Sequence, residues 1–538
     1  MRLPRLAVFI VTARFLRQAR VSPWLFLAVL VVAVTAATAL WQAVPQGRSS
    51  GAPAETAGST SPTDSQLGFW PRLPGASAPM TLLLWDYVVP LGTNAGTYQL
   101  ILQEAVSQFE NTHPGVKVKS ELFHWSEGDK KLAEALAGGG SVPIPDVYLS
   151  PGDTAVYDAA RQIPVERYLS REKADYEPVS LAAWTRDEHV WGWPRWVSVR
   201  TWAANLKLSV TAAQFHERWT QSGWTWTDLL AAAREALKSG GSRAFGPAGD
   251  DERPLTGVAL PRSTNVGTVL ADLATAAGID GPWDASGNYT WTGPGFLRAA
   301  EFLAQLRGER LARMDGDRFG ESTFQLFWDG RAAFVAGGGT WLFDRLERGV
   351  KLPSPPIPAV PDAMGTGRGP GREPGREPMT MENRSVAATS GARDVLLALL
   401  PVPHPDDSGK SVVPTRTSAY VVFDTGAAGA KRRDQRRIRA AMDLARTLSR
   451  YRVQWLSYNL RLWPAYKADL ESLGPRAQIL SALMPLAAPK RALTIAEAER
   501  EKRFLAEVAA PALSRLWRKD LNAAEFVAKL AGEAGKFK

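Results

Sequence analysis

The sequence predicts an α/β fold on a mainly parallel sheet, preceded by one apolar N-terminal segment. Residues 80–149 alternate strand, helix, strand, helix and strand patterns, which is the order of an α/β layer. Further along the chain, residue pairs that can cap a helix start are followed by apolar residues at helical spacing. A length of 538 residues with 45% hydrophobic content provides for two or more domains with their own cores.

The elements of the first layer follow from local patterns. The apolar run of residues 80–85 predicts a buried strand. Residues 101–109 place apolar side chains at helical spacing before a Pro-Gly pair. Residues 116–122 alternate apolar and polar side chains as a strand does. A helix over about 128–137 stops at three glycines, and residues 146–149 form a third short strand.

Later helices begin at residue pairs in which a side chain can cap the helix start. These capping pairs are Thr225 with Asp228, Thr494 with Glu497, and Asn522 with Glu525. Helical periodicity also marks 294–307 and 438–449, while 395–400 and 419–423 are strand-like. The Pro/Gly-rich stretch 353–392 predicts a disordered insertion and lacks the pattern of a phosphate loop.

The N-terminus contains a candidate membrane segment. Residues 24–41 are uncharged and apolar over 18 positions, long enough to span a bilayer core. Arginines in residues 1–23 predict a cytoplasmic N-terminus with the body on the extracellular or periplasmic side. A retained anchor and a cleaved signal peptide both fit, the latter giving a secreted protein. Residues 42–79 are rich in Pro, Gly, Ser and Thr and predict a flexible linker.

The amino-acid composition excludes several kinds of functional site. The absence of cysteine excludes disulfides, thiolate catalysis and a lipid-modified cysteine. The five histidines never approach ligand spacing, so we expect no metal and no cofactor. The net charge of +10 is partly concentrated in the basic run 431–437. That run favours a solvated helix face over contact with anionic lipid or nucleic acid, and no nucleic-acid motif accompanies it.

The placement of tryptophan suggests a ligand class. Many of the 20 tryptophans stand beside charged or amide groups rather than in apolar runs. A flat indole next to polar groups suits a sugar ring, which stacks on the indole while its hydroxyls form hydrogen bonds. Packing in a core is the alternative at every one of these positions.

The order of short motifs carries a family resemblance. The chain contains, in order, LLLWDY, QFENTHPGVKV, PDVYL, WGWPRWVSVRTWAANLKL, GWTWTDLLAAAREAL, FWDGRAAFVAGGGTWLFDRL, LLPVPHP and SAYVVF. Over roughly residues 80 to 538 this order closely resembles the extracellular solute-binding proteins of ABC importers, in the family that includes maltose-binding protein.

The resemblance implies a two-lobed periplasmic-binding-protein-like fold of class II type. Both lobes are α/β and discontinuous. Lobe one is expected at 80–198 plus 417–470, and lobe two at 199–416 plus 471–538, with the insertion in lobe two. The family binds its ligand between the lobes, which close around it, and an ABC permease receives the ligand. Many relatives are anchored to the membrane by a lipid-modified cysteine, and residues 24–41 are expected to take its place in this chain. The protein is expected to be a monomer.

The expected ligand-binding residues fall at strand ends and near the first crossing between lobes. They are Trp85, Asp86, Trp125, Asp129, Tyr148, Ser150, Trp193, Arg195, Trp196, Trp328, Trp341 and Trp463. The side chains at strand ends are placed there because α/β sheets bind ligands at the carboxyl ends of strands. Trp341 follows three glycines and corresponds to the family's glycine-tryptophan motif. No catalytic residue is expected.

Several of these residues have a second interpretation. Trp85 can close the core, and Asp86 can cap the segment that follows it. Arg195 can bond a hydroxyl or carboxylate of the ligand, or form a salt bridge between lobes. Trp463 can be a packing residue at a helix start.

Three functions remain open on the sequence alone. A sugar or oligosaccharide receptor fits the tryptophans. The second possible function is a receptor of the same fold that binds glycerol phosphate, a polyamine or a peptide. An exported carbohydrate-active enzyme is the third, but its marker motifs are missing.

Overall fold

The structure is a computed structural model, and it describes most of the chain after the N-terminal region. The described residues are 78–537 except 90–94, 126, 139–141, 244–254, 262–263, 315–322, 340–341, 343–395, 408, 427–433, 461 and 470–474. The predicted membrane segment 24–41 and insertion 353–392 lie outside them, as does nearly all of the predicted linker. None of the helices in the described ranges is long and apolar enough to cross a membrane.

Strands and helices alternate through the described ranges. The strands are β1 (Met80–Tyr87), β2 (Val116–Phe123), β3 (Val147–Ser150), β4 (Thr185–Arg186), β5 (His189–Val190), β6 (Trp193–Asn205), β7 (Thr256–Leu260), β8 (Ala312–Met314), β9 (Ala332–Gly339), β10 (Leu397–Leu400), β11 (Val413–Val422), β12 (Trp463–Pro464) and β13 (Ala487–Pro489). The mixed α/β class predicted from the sequence is confirmed.

The helices are of ordinary length, and most of the longer ones were predicted. They are α1 (Ala95–Thr112), α2 (Gly128–Leu136), α3 (Glu166–Leu169), α4 (Pro178–Ala182), α5 (Val210–Ser222), α6 (Trp226–Arg243), α7 (Thr264–Ala276), α8 (Pro294–Gly308), α9 (Thr323–Trp328), α10 (Gln435–Arg450), α11 (Val453–Leu460), α12 (Pro475–Leu483), α13 (Ile495–Phe504), α14 (Ala510–Trp517) and α15 (Ala523–Ala534). All three predicted capping pairs form reciprocal hydrogen bonds.

One sheet runs through the molecule in the order β2-β1-β3-β11-β6-β9-β7-β8. β1 pairs in parallel with β2 and β3, and β7 pairs in parallel with β8 and β9. Strand β11 lies between β3 and β6 and runs antiparallel to both. Two parallel α/β layers are therefore joined through two central antiparallel strands.

Strand β6 links two separate hydrophobic cores. Its first half pairs with β11, and its second half pairs with β9 and β10. Trp193 and Trp196 pack in a core built mainly from residues 82–196 and 419–465. Trp202 and Ala204 pack in a second core built mainly from residues 202–336, 398–412 and 504–534. We call these core one and core two; the predicted lobe boundaries stay predictions.

A third segment also reaches both cores. The backbone amides of Ala155 and Val156 donate to the carbonyl of Leu493, at 2.9 and 3.0 Å. Eleven residues after Leu493, Phe504 is buried in core two. Helix α13 thus begins against core one and ends in core two, inside the range predicted to be lobe two alone.

Glu497 fastens the start of α13. Its carboxylate accepts from the backbone amide of Thr494 and is paired with Arg186 and Arg491. Burial opposes ionisation, but these hydrogen bonds outweigh it and lower the pKa of Glu497 to about 2. Because Arg186 lies on the β4–β5 hairpin of core one, the pair holds the third connection in place.

We predict that Glu497→Gln lowers the free energy of unfolding at pH 7 by about 1–2 kcal/mol. The pKa is depressed in the folded state, so the carboxylate stabilises the fold above its unfolded pKa of about 4.3. This contribution is lost as the pH falls towards 2.

Urea unfolding of both proteins at pH 7, 4 and 3 measures the effect. Glu499→Gln, which changes an exposed residue of the same helix, is the control. The assignment of a stabilising carboxylate to Glu497 would be contradicted if the difference in free energy of unfolding between Glu497→Gln and the original chain grew as the pH fell.

Candidate ligand-binding site

Polar and aromatic side chains meet where β1, β2 and β3 end. Because the three strands are parallel, their carboxyl ends lie at one edge of the sheet. We call the group at this edge the rim cluster; it consists of Tyr87, Trp125, Asp129, Tyr148 and Tyr157. Tyr87 and Trp125 stack with ring centroids 4.5 Å apart and planes 8° from parallel. Trp125 keeps 45% of its surface exposed, so it offers an indole to a ligand.

Asp129 is the acidic centre of the rim cluster. It accepts hydrogen bonds from the hydroxyls of Tyr148 at 2.6 Å and Tyr157 at 3.2 Å. Burial raises its pKa, and these two hydrogen bonds partly offset that effect. The hydroxyl of Tyr148 is also bonded to that of Tyr87. The cluster therefore presents an acceptor and hydroxyl groups beside an aromatic face, which suits a ligand rich in hydroxyls.

Two neighbours fix the geometry of the rim cluster. The hydroxyl of Ser150 donates to the carbonyl of Thr154 at 3.0 Å and is bonded to the hydroxyl of Tyr157 at 2.8 Å. Gly128 begins helix α2 directly against the ring of Tyr87. A Cβ at this position would clash with the Tyr87 phenol, so only glycine lets α2 bring Asp129 this close to β1.

Four of the predicted site residues thus come together: Trp125, Asp129, Tyr148 and Ser150. Tyr87 and Tyr157 complete the cluster and were missed by the sequence analysis. Tyr87 follows Asp86 as the last residue of β1, and this position at a strand end was the signal that could have identified it. Tyr157 lies in a loop with no comparable signal.

Asp86, Arg195 and Trp196 lie inside core one instead. Asp86 is fully buried and accepts hydrogen bonds from Tyr98 at 3.0 Å and Tyr420 at 2.7 Å. Burial raises the pKa of Asp86, and the charge of Arg195 partly offsets this. The Arg195 guanidinium donates to the same two tyrosine hydroxyls and stacks on Trp196.

Arg195 is only 3% exposed. The partners of its guanidinium all belong to core one. Ligand contact by Asp86, Arg195 or Trp196 stays a prediction. The Arg195 guanidinium compensates the buried carboxylate of Asp86, with 4.0 Å between Nη1 and Oδ2. A buried carboxylate without such a partner would be strongly destabilising.

Four of the five remaining predicted tryptophans are packed against apolar side chains. Trp85 is in core one, 0% exposed, with its ring edge against Phe123. Trp193 is in core one, and Trp463 and Trp328 pack in a smaller apolar group around the strands that join the cores. None of these four is more than 7% exposed. Trp341 lies outside the described residues. Ligand contact by any of these five stays a prediction.

Residues 262–263, 315–322 and 340–341, which follow β7, β8 and β9 in the sequence, are outside the described ranges. In the described part of the chain, no group of three or more His, Asp or Glu side chains is arranged to hold a metal ion.

Comparison with solved structures identifies the fold. MalE, the sugar-binding protein of Xanthomonas citri, superposes with a TM-score of 0.57 at 18% identity, covering 85% of this chain and 97% of that one. M. tuberculosis UspC gives a TM-score of 0.58 at 14% identity, covering 85% and 100%. The maltotriose-binding protein of Thermus thermophilus, solved with maltotriose, gives 0.52 at 17%, covering 85% and 99%.

These likenesses establish the fold class. The chain has the two-lobed fold of MalE-like solute-binding proteins, and many of its structural neighbours are sugar-binding proteins of ABC transporters. The resemblance predicted from the sequence is confirmed at the level of the fold. No protein-family model matches the sequence, and no curated protein matches it.

We predict that Arg195→Met destabilises the fold by about 3–5 kcal/mol, because it leaves Asp86 buried without a compensating charge. Adding Asp86→Asn to this variant should recover much of the loss. Urea denaturation of the two single variants and the double variant measures the coupling. Two additive single effects would show that Arg195 and Asp86 do not act as a pair.

Proposed function

We propose that the protein is the substrate-binding receptor of an ABC transporter. It captures a sugar or oligosaccharide between its two lobes and delivers it unchanged to a membrane permease. The observation that carries the proposal is the rim cluster, an exposed indole beside a carboxylate and tyrosine hydroxyls, at the sheet edge where the two layers meet. The ligands named for the structural neighbours, maltotriose among them, support the same class.

The rim cluster fits a neutral sugar better than an ion. An exposed indole gains energy from the weakly polar face of a pyranose ring. The carboxylate of Asp129 accepts hydrogen bonds from hydroxyls, and the neighbouring tyrosines both donate and accept. A phosphate ligand would instead need clustered arginine and lysine donors.

Opening and closing of the two lobes supplies the transport signal. A ligand that contacts both lobes favours the closed form, because it gains contacts there that the open form lacks. The segment 24–41 then holds the receptor, as a monomer, on the extracellular or periplasmic side of the membrane near its permease.

A binding panel on the full chain tests this function. The panel contains maltose, maltotriose, trehalose, an amino acid, a polyamine and glycerol phosphate. A true ligand at 100 times its dissociation constant adds about 2.7 kcal/mol to the free energy of unfolding. We expect one of the sugars to raise the melting temperature and to be recovered chemically unchanged. Stabilisation by the non-sugar compounds alone, or cleavage of the sugar, would overturn the proposal.

Two exposed tryptophans provide a matched pair of variants. Trp125 is 45% exposed in the rim cluster, and Trp455 is 41% exposed on α11. We predict that Trp125→Ala weakens sugar binding by roughly tenfold, since a stacked aromatic contact contributes about 0.5–1.5 kcal/mol beyond its burial. Trp455→Ala should leave the dissociation constant unchanged. Isothermal titration with the sugar that binds compares them; equal affinities for the two variants would remove Trp125 from the site.

A further inference from the structure

A line of charged side chains follows the two strands that join the cores. Arg416 lies on β11 opposite Ser198 of β6, and Arg200 lies two residues further along β6. Asp153, in the loop after β3, reaches Arg416 from the side of core one, with 3.1 Å between Oδ1 and Nη1. Asp272 of α7 approaches Arg200 from the side of core two.

The two arginines differ in how fully they are engaged. Arg200 donates from Nε to both carboxylate oxygens of Asp272 at 3.2 Å, and Nη2 makes a further contact. Asp272 is 2% exposed, so this pair is a closed structural unit. Arg416 contacts Asp153 through Nη1 alone, and its buried Nε finds no hydrogen-bond partner among the described residues. Arg416 is therefore less fully engaged by its neighbours than Arg200.

Arg416 is also accessible to a ligand. Solvent reaches 40% of its side chain and 45% of that of Asp153, in contrast to the enclosed Arg195. Surrounding protein lowers the pKa of Arg416; the charge of Asp153 opposes this effect, while that of Arg200 adds to it. Arg416 therefore combines solvent contact with partial desolvation.

The Arg416–Asp153 pair continues the rim cluster. The charge of Asp153 acts on Asp129 and contributes to raising its pKa, while Lys502 of α13 acts in the opposite direction. Asp153 lies on the loop between Ser150 and Tyr157, two residues that contact each other in or beside the rim cluster. This loop therefore connects the rim cluster to Arg416 on the joining strands.

We propose that Arg416 and Asp153 together form a subsite for a pair of adjacent hydroxyls on a neutral sugar. The guanidinium donates hydrogen bonds to the hydroxyl oxygens, and the carboxylate accepts hydrogen bonds from the hydroxyl groups. The pair is neutral overall, and an anionic group placed there would meet the carboxylate of Asp153. This inference rests on the proposed function and extends it, because it specifies uncharged vicinal hydroxyls as the group recognised at the joining strands.

Arg416→Gln tests the subsite, with Arg234→Gln as the matched control. Arg234 forms an ion pair with Glu309 through two hydrogen bonds of 2.7 Å on the surface of core two. The probes are maltose, maltotriose, trehalose, galacturonate and glucose 6-phosphate, titrated calorimetrically into each full-length protein. For the neutral sugar that binds, we expect Arg416→Gln to weaken affinity at least tenfold and Arg234→Gln to change it less than twofold.

A selectivity readout separates ligand contact from a structural role. The original chain should prefer the bound sugar to its monodeoxy analogues, and Arg416→Gln should lose that preference for at least one analogue. Arg416→Lys should restore only part of the affinity, since lysine cannot donate two parallel hydrogen bonds. Circular dichroism and the melting temperature establish that each variant is folded.

The outcomes distinguish the two levels of the proposal. Suppose that the original chain binds a neutral sugar and that Arg416→Gln binds it with the same affinity and selectivity. This result would overturn the subsite and leave the proposed function standing. Tighter binding of galacturonate or glucose 6-phosphate, lost on Arg416→Gln, would assign Arg416 to an anionic group and overturn the neutral subsite. No binding of any sugar by the original chain would overturn the proposed function, and the subsite with it.

Discussion

The continuity of β6 and β11 from one core to the other is the constraint on which the rest of the structure depends. β11 pairs with β3 of the first layer, β6 pairs with β9 and β10 of the second, and the two strands pair with each other. The layers therefore cannot separate without breaking pairs along these two strands. A third connection at 487–497 adds a parallel pair with β11 and the Glu497 contacts. The proposed function requires the two layers to rotate about these three joining segments while each keeps its own packed core.

The arginine–aspartate pairs of this fold have different roles because they differ in burial. Asp86 and Arg195 are enclosed in core one and stabilise it through two shared tyrosines. Arg200 and Asp272 form a second closed pair. Asp153 and Arg416 are chemically similar but remain in contact with solvent, and only such a pair can exchange its water for a ligand. Burial, and not residue type, decides which pair is available.

The sequence predicted the local elements well and their assembly less completely. Periodicity and capping pairs located α8, α10, α13 and α15, because helix signals act within a few residues. The insertion of β11 beside β3 joins residues more than 250 positions apart, and no local pattern specifies it. Trp85 and Trp125 illustrate the limit for the site. Both lie near strand ends beside polar residues, yet one fills a core and the other is exposed, since exposure depends on what packs over each face.

The distance between the two lobes, measured with and without sugar, tests the central claim most directly. The chain has no cysteine, so Lys119→Cys on β2 and Lys238→Cys on α6 would carry a unique pair of spin labels on exposed positions. The account predicts that a saturating neutral sugar moves the labels to a new mean distance in pulsed electron paramagnetic resonance, and that Trp125→Ala raises the concentration this requires. An unchanged distance at saturation with a sugar that binds would contradict a receptor that closes about its joining strands.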